Sequence, residues 1–317
     1  MKTRRQFLTA TGGAAAALTA ACCTDKKNVM GSSIHDDTPE EGWIDAHVHV
    51  LTADTDRYPL AEGYTKEKLS PPSFTPEELF AECKPHGVTR IVLIQPSYYR
   101  FDNSYMLDAM KAHPGVFGGV AVVNENEDPV SMIMKVLATR GVRGFRLYAN
   151  RENALGWLKS AGMKEMWTTA ANEGLNMCCL SDPDALPAIQ RMCEKYPETP
   201  VVIDHFSRIG ISGSIEQSDL DNLLKLAEFD TVRVKISAFY ALGKKAAPYD
   251  DLAPMIRQLR DSYGAERLMW ASDCPYQVQN GHSYKASIAL IRDGLDFLTG
   301  QDKEWMLRKT AEKVFFT

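Results

Sequence analysis

Apolar runs and amphipathic stretches alternate along this chain from Trp43 almost to its C-terminus. Each apolar run is of the kind that is buried on both faces of a sheet, and the stretches between runs have helical periodicity. The predicted strands cover residues 43–50, 88–94, 117–123, 142–148, 175–180, 200–205, 232–237 and 267–272. The predicted helices cover residues 76–86, 103–113, 129–139, 164–173, 183–195, 217–229, 249–263, 284–299 and 302–316.

Eight strands that alternate with helices predict an α/β fold with parallel strands. A (β/α)8 TIM barrel has eight such units, and we expect one barrel domain over residues 42–317. An open, doubly wound sheet is the alternative, but no glycine-rich phosphate loop follows the first strand. The polar, proline-containing segment 51–75 follows it instead and is predicted to be an active-site loop.

Composition excludes some classes of partner. Of the 317 residues, 44% are hydrophobic and 24% are charged, which is typical of a globular protein. The formal net charge is −5 and there is no block of like charges, so we expect no nucleic-acid partner.

The N-terminal sequence predicts an export signal rather than a part of the folded domain. Thr3–Leu8 carries a twin-arginine pattern, and a run of small and apolar residues follows it up to Cys23. We therefore predict a signal peptide over residues 1–23, a flexible tether over residues 24–41 and a periplasmic or cell-envelope location. Cys22 resembles a lipoprotein processing site, so the predicted membrane contact is limited to a lipid anchor there.

The first predicted strand ends in two histidines. Side chains two residues apart on a strand point the same way, so His47 and His49 should project together. They lie near the C-terminal end of the strand, where the active sites of (β/α)8 barrels are found. The chain has seven histidines, and a chance pair is the competing explanation.

Other predicted strands also end in polar residues that would face the same end of the barrel. These residues are Gln95, Ser97, Arg146, Tyr148, Asp204, His205, Arg208 and Asp273. Tyr148 also fits a packing role, and Gln95 also fits a role in capping the barrel. Asp204 alternates with His205 along the strand, so it could point away from the site and support it from behind. The predicted site thus combines three histidines, a carboxylate and two arginines.

Histidines beside a carboxylate allow two kinds of chemistry. In the first, a Zn²⁺ or Mn²⁺ ion lowers the pKa of a bound water. The metal ligands would be His47, His49, His205 and Asp273. In the second, no metal takes part, Asp273 acts as the general base, and the histidines polarise a carbonyl through hydrogen bonds.

The two arginines add a requirement about the substrate. Arg146 and Arg208 at one end of the barrel would be costly to bring together unless they meet an anion. A substrate carboxylate is the natural partner, because a guanidinium binds it through paired hydrogen bonds. The sequence therefore predicts a small anionic substrate, with Gln95, Ser97 and Tyr148 as further candidate contacts.

Five segments together resemble the amidohydrolase superfamily, amidohydrolase-2 type. They are Asp45–His49, Val202–Arg208, Trp270–Tyr276, Gly144–Leu147 and Gln95–Ser97 with Asn103. The resemblance is greatest to the branch that contains 2-pyrone-4,6-dicarboxylate lactonase, L-fuconolactonase and sulfomuconolactone hydrolase. It implies a (β/α)8 hydrolase that opens a lactone or similar cyclic ester bearing a carboxylate.

The resemblance also implies roles for individual residues. Asp273 would activate water, and the carbonyl would be polarised, directly or through a metal, by His47, His49 and His205. Arg146 and Arg208 would bind the substrate carboxylate. The superfamily's metal sites commonly use a lysine after strand four or a histidine after strand five, and here Arg146 stands at the first place and no histidine at the second. A binuclear site is therefore not expected.

Two rival functions remain open at this stage. The first is a metal-dependent decarboxylase of aromatic acids from the same superfamily, which would use the same histidines and aspartate. The second is a non-catalytic surface protein that binds an acid or a carbohydrate without turnover.

Overall fold

A computed structural model describes residues 41–317 of the chain. The predicted signal peptide, the candidate lipid anchor at Cys22 and nearly all of the predicted tether lie outside these residues. Within residues 41–317, no helix combines the length and apolarity that crossing a membrane requires.

Eight parallel strands form one sheet whose order follows the sequence, β1 to β8. They are β1 (Trp43–Val48), β2 (Val88–Ile94), β3 (Phe117–Ala121), β4 (Val142–Ala149), β5 (Asn176–Ser181), β6 (Val201–Ile203), β7 (Val232–Ile236) and β8 (Leu268–Trp270). The sheet curls until Val48 at the end of β1 bridges to Cys274 after β8. This near-closed, all-parallel arrangement confirms the predicted (β/α)8 barrel.

Helices lie between the strands and after β8. They are α1 (Pro76–Cys83), α2 (Ser104–Ala112), α3 (Val130–Thr139), α4 (Arg151–Trp157), α5 (Ala161–Glu173), α6 (Leu186–Lys195), α7 (Gln217–Lys225), α8 (Ala253–Tyr263), α9 (Tyr284–Ala289), α10 (Gly300–Glu304) and α11 (Thr310–Phe315). The segment Trp305–Lys309 joins α10 to α11 as a π-helical turn. Helix α4 is additional to the predicted helices, and Asn150 and Asn153 cap its N-terminus reciprocally.

Apolar side chains fill the barrel below its C-terminal mouth. This interior cluster consists of Ile44, Ala46, Val92, Ile94, Val120, Cys178, Val202, Met269 and Ala271, together with Ala311, Val314 and Phe315 of α11. Because the last helix packs into the same cluster, the C-terminal segment closes the end of the barrel opposite the site. A second, larger cluster lies mainly between the strands and the surrounding helices.

Strand β1 contains a β-bulge beside the two histidines. Asp45 pairs with Ile91 and Val48 pairs with Leu93, so three steps along β1 match two steps along β2. The Asp45 carboxylate accepts hydrogen bonds from the Ser272 backbone nitrogen and the Tyr284 hydroxyl. The bulge thus separates Asp45 from His47 and His49, although strict alternation would have put all three on one face.

Candidate active site

Three imidazoles converge on one carboxylate oxygen at the C-terminal mouth of the barrel. The Nε2 atoms of His47, His49 and His205 lie 3.6, 3.4 and 3.7 Å from Asp273 Oδ1. Backbone hydrogen bonds fix this arrangement, because the Asp273 nitrogen donates to the His47 carbonyl and the His49 nitrogen donates to that of Cys274. The ends of β1 and β8 are thereby joined at the reacting groups.

A chain of hydrogen bonds assigns protons to the two histidines of β1. The Ile94 carbonyl lies 2.8 Å from His49 Nδ1 and can only accept, so Nδ1 carries the proton and Nε2 is an acceptor. The Lys235 ammonium lies 3.2 Å from His47 Nδ1 and donates to it. His47 then carries its proton on Nε2, which donates to His49 Nε2 at 3.3 Å.

Lys235 also forms a buried ion pair beneath the site. Its Nζ lies 3.0 Å from Asp204 Oδ1, and both side chains are fully buried. His47 Nδ1 lies 3.4 Å from the same Asp204 oxygen, and Arg146 Nε lies 4.0 Å from the other one. Burial alone would raise the pKa of Asp204, but Lys235, His47 and Arg146 outweigh it and hold that pKa well below the ordinary value.

The neighbouring groups set the charge of the reacting residues. Burial lowers the pKa of His47 well below its ordinary value, and the positive charge of Lys235 lowers it further. Burial also lowers the pKa of His205. Burial would raise the pKa of Asp273, but the imidazoles of His205, His49 and His47 outweigh it and keep that pKa below the usual range. At neutral pH the site therefore contains an ionised Asp273 carboxylate beside the neutral imidazoles of His47 and His205.

His205 stands at the start of a left-handed turn after β6. The four consecutive residues from His205 to Arg208 have φ between 52° and 59°. Non-glycine residues rarely adopt this conformation, and such strain is concentrated at functional sites. Ser237 Oγ lies 2.8 Å from His205 Nδ1 and fixes the imidazole, while Ser207 Oγ lies 2.6 Å from Ser181 Oγ and ties the turn to β5.

A cavity of 270 Å³ opens above these groups, and the structure places most of the predicted site residues in its wall. The predicted residues that line it are His49, Ser97, Arg146, Tyr148, His205, Arg208 and Asp273. His47 is fully buried and lies behind the lining, where it contacts His49 and Asp273. The carboxylate, two imidazoles and both arginines thus face one small space.

The two arginines differ in their surroundings. Arg146 is buried, with its guanidinium carbon 5.3 Å from the centre of the Tyr148 ring, and its Nε has no hydrogen-bond partner among the described residues. The Arg208 side chain is 40% exposed and its Nη1 lies 2.8 Å from Asp182 Oδ1. Arg146 is therefore the guanidinium with unmet hydrogen-bonding capacity at the cavity.

Gln95 lies outside the cavity lining, and its amide holds the following loop. Its Nε2 donates to the backbone carbonyls of Arg100 and Asp102, at 3.2 and 2.6 Å. Asn103 braces the same loop through the Phe101 and Val122 carbonyls. The amide nitrogen of Gln95 is therefore already used within the protein, and the contact between Gln95 and substrate stays a prediction.

Sequence reasoning gave no role in the site to Tyr240, Tyr276 or Lys235. Tyr240 donates its hydroxyl to Asp273 Oδ2 at 2.7 Å, and Tyr240 and Tyr276 both line the cavity. Lys235 is a charged residue inside the apolar run Val232–Ile236, and that irregularity was a usable signal. Tyr240 lies in an irregular loop after β7, where periodicity gives no signal.

The donor set fits a divalent metal ion. His47, His49 and Asp273 offer ligand atoms that lie within 4.8 Å of one another. Asp273 Oδ1 is buried, and within residues 41–317 it has no hydrogen-bond partner. Imidazole nitrogens with a carboxylate suit Zn²⁺ or Mn²⁺. His47 would offer a lone pair at Nε2 only with its proton moved to Nδ1, which faces Asp204.

Comparison with known proteins gives relatives of similar sequence. One is 4-sulfomuconolactone hydrolase of Rhizobium radiobacter, 29% identical over 242 residues that cover 75% of this chain and 77% of the relative. Another is L-fucono-1,5-lactonase of Burkholderia ambifaria, 26% identical over 235 residues that cover 72% of this chain and 80% of the relative.

A solved structure and a family profile extend the match to nearly the whole barrel. The crystal structure of a Pseudomonas putida protein, assigned as a 2-pyrone-4,6-dicarboxylic acid hydrolase, superposes with a TM-score of 0.72 at 26% identity. The match covers 88% of this chain and 98% of that one. The profile of the amidohydrolase family matches residues 44–317, which include every residue of the site. The chain therefore belongs to the amidohydrolase family of hydrolytic enzymes.

Proposed function

We propose that this enzyme hydrolyses a lactone, or a similar cyclic ester, that bears a carboxylate. One observation carries the proposal: Asp273, on whose Oδ1 three imidazoles converge, lines the same 270 Å³ cavity as Arg146 and Arg208. The named relatives that act on lactones support it, since the residues described here provide the groups that such a reaction needs.

The geometry supports the following sequence. Arg146 and Arg208 bind the substrate carboxylate and place the ring carbonyl against His205, because His49 Nε2 is an acceptor and has no proton to donate. Asp273 takes a proton from a water molecule as the water oxygen bonds to the carbonyl carbon. Positioned hydrogen-bond donors stabilise the negative charge that develops on the carbonyl oxygen. The ring carbon–oxygen bond then breaks, and the leaving oxygen takes the proton from Asp273 to give a hydroxy acid.

Other side chains hold Asp273 in place for these proton transfers. Tyr240 donates to Oδ2, so Oδ1 is the oxygen left to accept a proton. His47 lies behind the cavity and orients His49 and Asp273. A Zn²⁺ or Mn²⁺ ion bound by His47, His49 and Asp273 would supply Lewis-acid polarisation and lower the pKa of bound water.

Replacement of the proposed base tests this mechanism. Asp273→Asn should lower kcat on carboxylated lactones at least a thousandfold, while substrate still binds, because the base is lost and both arginines remain. Hydrolysis is followed as acid release, and binding to the variant is measured by calorimetry. Retained turnover in Asp273→Asn would rule out the proposed base.

The same substrate panel separates the two rival functions. A decarboxylase would release CO₂ from aromatic acids and leave lactones intact. A binding protein would bind the acids, and Asp273→Asn would change no measured rate. Turnover of a carboxylated lactone without CO₂ release is the result expected here.

We propose further that the protein is exported and resides in the periplasm or on the cell envelope. The twin-arginine pattern at Thr3–Leu8 and the small, apolar run before Cys22 support this proposal. Cell fractionation should find the wild-type protein in the envelope or periplasmic fraction. Replacing Arg4 and Arg5 with lysine should retain it in the cytoplasm, and Cys22→Ala should release it from membranes if the lipid anchor is present.

A further inference from the structure

We propose that a second cavity beside the reaction centre binds an aryl group of the substrate. This cavity, called here the side chamber, has a volume of 690 Å³ and is bounded by the strand ends of β3 and β4, the loop after β2, and helices α4 and α5. Ser97, Arg146 and Tyr148 line both the side chamber and the 270 Å³ cavity. The inference rests on the proposed function and names its substrate class more closely.

The volumes indicate a substrate larger than one lactone ring. Ligand sites usually measure about 300–1,000 Å³, so the cavity over Asp273 holds little more than the reacting ring and its carboxylate. The side chamber begins at Arg146 and Tyr148, which the reacting ring would also touch. Because the two cavities share these walls, we expect a substituent on that ring to lie in the side chamber while the carbonyl remains at Asp273.

Eight of the fifteen residues that line the side chamber have aromatic or aliphatic side chains. The apolar lining residues are Tyr64, Phe101, Val122, Val123, Leu147, Tyr148, Trp157 and Met163. Trp157 and Met163 are buried and form a fixed back wall. Aromatic rings bind one another in offset or edge-to-face contact, so a flat apolar ring suits this wall better than an extended chain.

Two polar side chains of the wall, Asn153 and Ser160, are engaged within the protein. Asn153 Oδ1 accepts from the Asn150 nitrogen, and its Nδ2 donates to the Tyr148 carbonyl. Ser160 Oγ accepts from the Met163 nitrogen at the start of α5. The charged side chains Arg100, Glu125 and Arg146 form another part of the wall, and an aryl ring in contact with the apolar residues needs no hydrogen bond from them.

Exposed apolar surface at the entrance supports the same conclusion. Phe101 and Tyr148 are 48% and 40% exposed, although both are large side chains. Both line the side chamber from opposite sides, Phe101 on the loop after β2 and Tyr148 on β4. An aryl group seated between them would cover this surface, which water otherwise contacts.

Gly156 provides a way to fill the side chamber without disturbing the reaction centre. It lies on α4 in the chamber wall, and a Cβ added there would meet no atom within 4 Å. Gly156→Leu should lower the ratio of kcat/KM for an aryl-substituted carboxylated lactone to that for its unsubstituted parent at least tenfold. Gly300→Leu is the matched control, because its Cβ is equally unhindered and it lies on α10. The ratio should not change in that variant.

A binding measurement distinguishes failure of this inference from failure of the proposed function. Calorimetry with 3-phenylpropanoate, which joins a ring to a carboxylate, should give saturable binding to wild type that Gly156→Leu weakens at least fivefold. If no lactone is hydrolysed but this binding pattern holds, the proposed reaction is wrong and the aryl site stands. If lactones are hydrolysed while Gly156→Leu changes neither the kcat/KM ratio nor the binding, the aryl site is wrong.

Discussion

Lys235 controls where His47 carries its proton. Its ammonium donates to His47 Nδ1, and this leaves the Nε2 proton directed at His49. The alternative tautomer would direct the Nδ1 proton toward Asp204 and free Nε2 as a ligand. One buried lysine thus decides between a hydrogen-bonding site and a metal site at the same three residues.

Removal of that lysine should strengthen metal binding. In Lys235→Met the His47 Nδ1 proton can reach Asp204, so Zn²⁺ affinity should rise about tenfold over wild type. The affinity is measured by competition with a chromophoric chelator. Lys235→Arg keeps a cationic donor at this position and serves as the control. Equal affinity in wild type and Lys235→Met would contradict the assigned tautomer, provided circular dichroism shows both to be folded.

Asp45 gives stability an unusual pH dependence. Burial raises the pKa of Asp45 to about 6, even though its carboxylate accepts hydrogen bonds from Ser272 and Tyr284. The folded protein therefore keeps this proton up to about pH 6, whereas the unfolded chain loses it near pH 4. The stabilisation is complete below the unfolded pKa and is lost as pH rises through the folded one.

The pH dependence of the free energy of unfolding should therefore differ between wild type and Asp45→Asn. Between pH 5 and pH 8, wild type should lose about 1.4 kcal/mol more than Asp45→Asn, because only wild type carries this titration. Urea unfolding at several pH values measures it. Asp230→Asn removes an exposed carboxylate as the control, and its difference from wild type should stay constant. A constant difference for Asp45→Asn as well would contradict the raised pKa.

At the scale of elements, the loop after β2 serves both cavities. Ser97 lines both cavities and Phe101 lines the side chamber, while the Gln95 amide donates to the carbonyls of Arg100 and Asp102.

Gln95→Leu should release this loop and raise KM about tenfold with kcat changed less than twofold, because the reacting groups are untouched. Steady-state kinetics on a carboxylated lactone provides the test. Gln190→Leu, on the outer helix α6, should change neither constant, and an unchanged KM in Gln95→Leu would contradict the bracing role.

Sequence patterns located the strands well and the connecting segments less well. The eight predicted strands are present because each is an apolar run that has to be buried. Helix α4 was missed because the segment from Arg151 to Trp157 is mostly exposed and its caps are two asparagines, which also favour turns. Asp45 was separated from the histidines by a bulge that alternation cannot predict.

Prediction of the site had a similar limit. The strand-end rule brought His47, His49, His205 and Asp273 together because topology alone determines which ends meet. The positions of Tyr240 and of the residues that line the side chamber depend on how irregular loops fold, and hydrophobic periodicity does not predict this. The roles of individual residues stay predictions until variants are measured.

At the scale of the whole molecule, the last helix supports the barrel from below. Phe315 packs into the interior cluster, and Lys235 Nζ lies 5.3 Å from the centre of its ring. Phe315→Ala should cost about 3–5 kcal/mol of unfolding free energy through the cavity it leaves. Phe316→Ala, at a partly buried position, should cost less than half as much. Denaturant unfolding compares the two variants, and equal losses would contradict the support role of α11.

The joining of β1 to β8 has a consequence for the order of events in folding. His47 and Asp273 are held together by a backbone hydrogen bond, yet most of the chain lies between them. Contacts of such long range form late, since the intervening chain must be ordered first. A nascent or partly folded chain therefore has no reactive centre, and the onset of catalysis marks the moment at which the barrel closes.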